Sequence, residues 1–212
     1  MMQEQWLGFA VVALAATMTP GPAILFTMQN AMASGAKPAF AGALGNATGL
    51  VVVSVLSFAG VSVLLQQSPL AFTVLKLSGA GYLLYLAWLQ WQQASGISAE
   101  NLQCSELVAA CKLHSGWYNR GVGVALTNPK AWLFISALYP QFINLTEPAL
   151  PQYVGLTVIF AGCSIVAHTV WLSVVRLGME SRPNVKARRL LGQLQALLFA
   201  IVALSLWWTP LA

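Results

Sequence analysis

The sequence predicts an all-α integral membrane protein, with six transmembrane helices as two inverted three-helix repeats and proline breaks in helices one and four. Three observations carry this reading. Hydrophobic residues make up 58% of the 212-residue chain and charged residues 7%, against about a quarter charged in an average soluble domain. Apolar runs long enough to cross a bilayer, about 20 residues each, alternate with short loop signals. Basic residues gather in every second loop, as they do when those loops stay on one side of a membrane.

The apolar runs place helices near 6–33, 38–66, 69–92, 117–142, 152–178 and 187–209. The first begins in "MMQEQWLGFAVVALAAT", which has the length of a secretion signal but carries Glu4 and no Lys or Arg ahead of its apolar stretch, so it reads as a retained helix. "SGAKP" at Ser34–Pro38 and "QQSP" at Gln66–Pro69 end the first two helices, and "EPALPQ" at Glu147–Gln152 separates the fourth from the fifth. Three units follow: a first half over 1–92, a loop over 93–116 and a second half over 117–212. Three helices per half make the two halves insert in opposite directions.

Loop charge sets the orientation. Lys37 lies in the first loop, Lys112 and Arg120 in and beside the third, and Arg176, Arg182, Lys186, Arg188 and Arg189 in and around the fifth. By the positive-inside rule the odd loops face the cytoplasm and both termini face the periplasm. The "RPNVKARR" run, Arg182–Arg189, is first a topology signal and second a contact for anionic membrane lipid. Ten scattered bases do not form the footprint that nucleic acid requires. In the third loop Ile97, Leu102, Leu107 and Val108 suit a short amphipathic surface helix. Cys104, Cys111 and His114 there lack the paired CxxC spacing of a metal centre, and no motif calls for a cofactor.

The breaks carry the functional signal. "MTPGP", Met18–Pro22, and "LTNPK", Leu126–Lys130, interrupt the opening helix of each half. Proline releases carbonyls from the helical ladder, and inside a membrane this is tolerated where the backbone is buried in protein or lines a wet cavity. Paired broken helices with half-helix ends facing a ligand are a transporter device; a packing kink is the other reading. Candidate substrate-binding residues are Thr19, Pro20, Gly21 and Pro22 at the first break, and Thr127, Asn128, Pro129 and Lys130 at the second. Asn46 joins them from "GALGNATG", where Gly42, Asn46 and Gly49 share a helix face suited to close approach. Lys130 can meet a substrate carboxylate or a released carbonyl. Asn128 and Thr127 can meet a substrate ammonium or cap the restarted helix.

His168 lies within a predicted span, on one face with Thr157, Ala161 and Ser164. With a reference pKa near 6.5 it is the proton-coupling candidate, against a packing role for a neutral ring. Lys76, about 10 Å into helix three at 1.5 Å per residue, can snorkel outward. Trp6, Trp88, Trp91, Trp207 and Trp208 lie near helix ends and suit interface anchors. An intramembrane hydrolase lacks a GxSxG-like elbow and an aspartate pair. A thiol-redox carrier lacks paired thiols at the breaks, since Cys163 stands alone within the spans.

In order and spacing, "MTPGPAILF", "GALGNATGL", "LKLSGAGYLLYLAW" and "GVGVALTNPKAWLFISALYPQFI" resemble the LysE/RhtB family of bacterial amino-acid exporters. The resemblance implies a secondary exporter of amino acids or related metabolites across the inner membrane, not an enzyme, working as a homodimer. One departure matters. Members commonly carry an aspartate where this chain has Asn46, and the lysine and arginine exporters show a second acid after the helix-four break, where this chain has "TNPKAWLF". The chain has no Asp, and its five Glu residues lie outside the predicted membrane cores. A cationic substrate would therefore lack a buried counter-charge. Neutral amino acids or similar zwitterions are favoured, with a passive channel or an exporter of another small molecule or cation as the alternative.

Overall fold

The computed structural model describes residues 2–67, 69–95, 116–144, 146–177 and 185–208, and all regular structure among them is helical. The helices are α1 (Met2–Met18), α2 (Pro22–Ser34), α3 (Ala36–Gln67), α4 (Pro69–Ser95), α5 (Trp117–Thr127), α6 (Pro129–Leu138), α7 (Ala149–Arg176) and α8 (Val185–Trp208), with a 3-10 turn at Tyr139–Phe142 after α6. Predicted ends agree to within three residues for the unbroken helices, whereas helix one begins four residues earlier than predicted, at Met2. The predicted surface helix, with Cys104, Cys111 and His114, lies outside the described residues.

Prolines decide where the ladders stop. The predicted 6–33 helix is α1 followed by α2, bent 52° about Thr19–Gly21. The predicted 117–142 helix ends at Thr127 and restarts at Pro129. Each restart has Pro in its first turn, where the missing N–H would have had no intrahelical partner. Gly35 closes α2 with φ 88°, a left-handed conformation that glycine adopts without strain, and its N–H donates to the Ala31 carbonyl at 3.1 Å. Among the described residues, α7 and the Ala36–Gly60 part of α3 are each long and apolar enough to cross a membrane, and the bent α1–α2 pair passes as a third such span.

The glycine-rich face of α3 makes the closest backbone contacts among the described glycines. A Cβ on Gly45 would collide with the Tyr118 carbonyl oxygen, and one on Gly121 of α5 with the Gly42 carbonyl. A Cβ on Gly49 would stand 2.9 Å from the Val122 carbonyl. α3 and α5 therefore touch backbone to backbone, as small residues allow in lipid. The sequence pointed to Gly42 and Gly49 on this face; Gly45 completes it, and Asn46 turns instead toward α7. α4 packs chiefly on α8 and reaches α6 through Gly79, where a Cβ would be 2.8 Å from the Ala137 carbonyl.

An aromatic cluster fills one end of the bundle. The Phe134 and Phe160 rings stack at 4.7 Å and 10°, Phe9 meets Tyr139 edge-on at 5.3 Å, and Tyr139 lies 4.9 Å from Tyr153. Such pairs add about 0.5–1.5 kcal/mol each beyond the area they bury. Trp6, expected as an interface anchor, lays its ring over Gly155 of α7. Trp88 and Trp91 stand exposed on α4, as interface anchors would.

Candidate functional site

Carbonyls released at a break must find donors or stay unsatisfied in an apolar surrounding. At the end of α1 the donors come from its own hydroxyls and from distant helices. Thr19 Oγ1 donates to Ala15 O at 3.0 Å, and Thr17 Oγ1 bonds back to Ala13 O, one turn inside the helix, at 2.9 Å. Lys130 Nζ donates to Ala16 O at 2.9 Å, and Trp171 Nε1 to Met18 O at 3.1 Å. Thr19 in turn accepts from Gln90 of α4, a buried side chain that sequence reasoning missed. The two breaks are thus tied to one another through Lys130.

The second break is closed in the same way. Asn128 is the N-cap of α6, its Oδ1 accepting from Lys130 N at 3.0 Å. Trp132 Nε1 donates to Leu126 O at 2.7 Å, and Thr127 Oγ1 to Gly123 O at 2.9 Å. Asn128→Ala is expected to cost about 1 kcal/mol through loss of this cap, with Asn128→Asp retaining it; thermal unfolding in detergent measures both.

Between the breaks lies a cavity of about 50 Å³, room for roughly four waters at about 10–15 Å³ apiece. Thr19, Gly21, Asn128, Lys130 and Asn46 line it, and so does His168. Pro20, Pro22, Thr127 and Pro129 do not; the prolines make the breaks, and Thr127 is exposed on the far side of its helix. Thr17, Ser164, Ile24 and Leu50 complete the wall with Phe134 and Phe160, which form its floor on the aromatic side. Among these additions only Ser164 had a sequence signal, through the face it shares with His168.

The two ends of the cavity differ in charge. At one end α2 begins without a side-chain cap, so its first-turn N–H groups and the positive end of its dipole face the cavity. Lys130 approaches the same point: a Cβ on Gly21 would lie 4.0 Å from Nζ. Two positive features thus converge, and no acid is among the described residues that line the cavity, an arrangement suited to a carboxylate.

At the other end His168, 2% exposed, sits between α2 and α3. Its Nδ1 lies 2.7 Å from Thr27 Oγ1 and its Nε2 3.2 Å from Asn46 Nδ2. Thr27 Oγ1 also lies 3.3 Å from Ala23 O; with its one hydrogen given to that carbonyl, its oxygen would accept from Nδ1–H. With Asn46 Nδ2 donating to Nε2, these partners suit a neutral ring with Nε2 as acceptor. Asn46 Nδ2 also donates to Ser164 Oγ at 3.2 Å, while the buried Asn46 Oδ1 has no partner.

Over residues 14–209 the sequence matches the family described as LysE type translocator. It is 32% identical over 173 residues to the homoserine/homoserine lactone efflux protein of Salmonella typhimurium, covering 82% of this chain and 81% of the relative. An uncharacterized membrane protein of Vibrio cholerae is 31% identical over 86% of this chain and 87% of its own length. The leucine efflux protein of Salmonella choleraesuis is 31% identical over 66% of this chain and 64% of its own. No solved structure gives a significant match.

Proposed function

Because the chain belongs to the LysE type translocator family, we propose that it exports neutral amino acids or similar small zwitterions across the bacterial inner membrane by alternating access. The observation that carries the substrate class is the pair of cavity ends. Lys130 and the uncapped start of α2 suit a carboxylate, and the unpartnered Asn46 Oδ1 suits an ammonium. Neither end supplies the acid that a cationic side chain would need. One similar protein is named for the efflux of homoserine and homoserine lactone and another for that of leucine; homoserine and leucine are neutral amino acids.

In this reading six segments span the membrane as two inverted halves, both termini face the periplasm, and the protein works as a homodimer in contact with membrane lipid. The loop charges and the matching positions of the two breaks support it. α1 and α7 then begin on the periplasmic side, which puts the aromatic cluster of Phe9, Tyr139 and Tyr153 between the cavity and the periplasm. That cluster opens as the outer gate, the cavity widens to admit substrate, and His168 carries the coupling proton.

Efflux from cells tests the reading. Cells expressing the protein, loaded with dipeptides so that single amino acids accumulate, are expected to release a neutral amino acid faster than empty-vector cells, and an uncoupler should suppress the excess. Release that accumulates against no gradient and ignores the uncoupler would favour a channel; no excess for any amino acid would end the amino-acid reading.

A further inference from the structure

The Asn46 side chain offers one amide oxygen to two claimants. In the described arrangement Nδ2 serves His168 Nε2 and Ser164 Oγ, and Oδ1 is buried without a partner on a residue that lines the cavity. A substrate ammonium placed there gains an acceptor while the ring stays neutral. A proton on Nε2 reverses the requirement: the ring then has N–H on both nitrogens and needs an acceptor on each side. Thr27 Oγ1 already provides one. Among the described side chains the other comes from Asn46 if its amide turns over, bringing Oδ1 to Nε2–H and to the Ser164 hydroxyl.

We propose that substrate ammonium and the coupling proton exclude each other by competing for Asn46 Oδ1, so that one proton on His168 is exchanged for each amino acid. The inference rests on the exporter reading above and gives its coupling a physical origin. When the ammonium takes Oδ1, Nδ2 faces Nε2 and the imidazolium loses its acceptor; the Nε2–H bond breaks and the proton passes to water in the cavity. When the amino acid leaves, a hydronium ion returns the proton to Nε2 and becomes water. An aspartate at this position would itself hold the proton, so the asparagine makes the histidine the carrier.

The surroundings leave this competition in charge. Lys130 is the cation that shares the cavity, and the substrate carboxylate offsets it while the ammonium restores the charge beside His168. α1 and α2 bring no acid or base to the cavity, and Lys37 of α3 lies nine positions before Asn46, about 14 Å along the helix. Cys163 on α7 turns to α1, 3.8 Å from the Ala10 carbonyl.

Purified full-length protein in liposomes, with leucine and homoserine as the probes, separates the inference from its premise. Exchange of labelled for unlabelled amino acid across the vesicle tests transport alone. The half-saturating concentration for that exchange, followed with pH, tests competition: once His168 is largely protonated, each further unit of acidity raises it about tenfold at unchanged maximal rate. His168→Gln makes the half-saturation independent of pH and stops proton uptake, read by a dye inside the vesicle. Wild-type exchange with a half-saturation that ignores pH overturns the competition and leaves the exporter standing, as does proton uptake that persists in His168→Gln. Absence of wild-type exchange for both probes overturns both.

Discussion

Lys130→Met is expected to remove most transport from a protein that still folds. The ammonium holds the Ala16 carbonyl and faces the uncapped start of α2. Methionine preserves the length and apolar stem of the side chain but leaves that carbonyl without its donor, at about 1–3 kcal/mol. The larger loss falls on substrate. A charge-assisted bond to a carboxylate contributes about 1.5–3 kcal/mol, so the half-saturating concentration should rise roughly 10- to 100-fold. Lys130→Arg keeps the charge but changes the donor geometry, and should retain part of the activity. Exchange in liposomes and thermal unfolding in detergent read the two effects separately. A Lys130→Met protein with unaltered half-saturation would remove the carboxylate end from the site.

Gly45→Ala is expected to destabilise the bundle by about 3 kcal/mol, at the upper end of the usual cost of overpacking. The new methyl group meets the Tyr118 carbonyl, which is backbone and cannot rotate aside. α3 and α5 must separate, and the hydrogen bond from Tyr118 Oη to Thr48 Oγ1, 2.8 Å long, stretches with them. Gly60 and Gly162 provide the comparison, since a Cβ at either meets nothing within 4 Å. Alanine there keeps its helix-propensity gain of about 1 kcal/mol over glycine. Unfolding temperatures of the three variants should therefore differ in sign. Equal effects at all three sites would mean that the α3–α5 contact yields more easily than its geometry implies.

Helices and breaks were legible because their signals are local. Pro22 and Pro129 act on their own turn, so the junctions between α1 and α2 and between α5 and α6 could be read from a few letters. The glycines at 42 and 49 declared a close neighbour without identifying it, because the partner backbone at Trp117–Ala125 contributes carbonyls, which every residue has. His168 was assigned to the interior through the face it shares with Ser164. Its contacts with Thr27 and Asn46 span 141 and 122 positions of sequence, and no periodicity links elements so far apart. Gln90 and Trp171 escaped for the same reason. Each serves an acceptor on a remote strand of the chain, and a glutamine or tryptophan near a membrane helix end has commoner uses.

The borrowed donors at the end of α1 also set a timetable for biosynthesis. Ala16 waits for Lys130, 114 residues later, and Met18 for Trp171, 153 residues later. At a ribosomal pace of about 5–20 residues per second, the first wait lasts roughly 6 to 23 s. Throughout it, the nascent amino-terminal half holds two carbonyls whose native donors have not yet been made. A chain stopped before α7 emerges therefore leaves Met18 O without its native donor, and is expected to be less stable than the full chain.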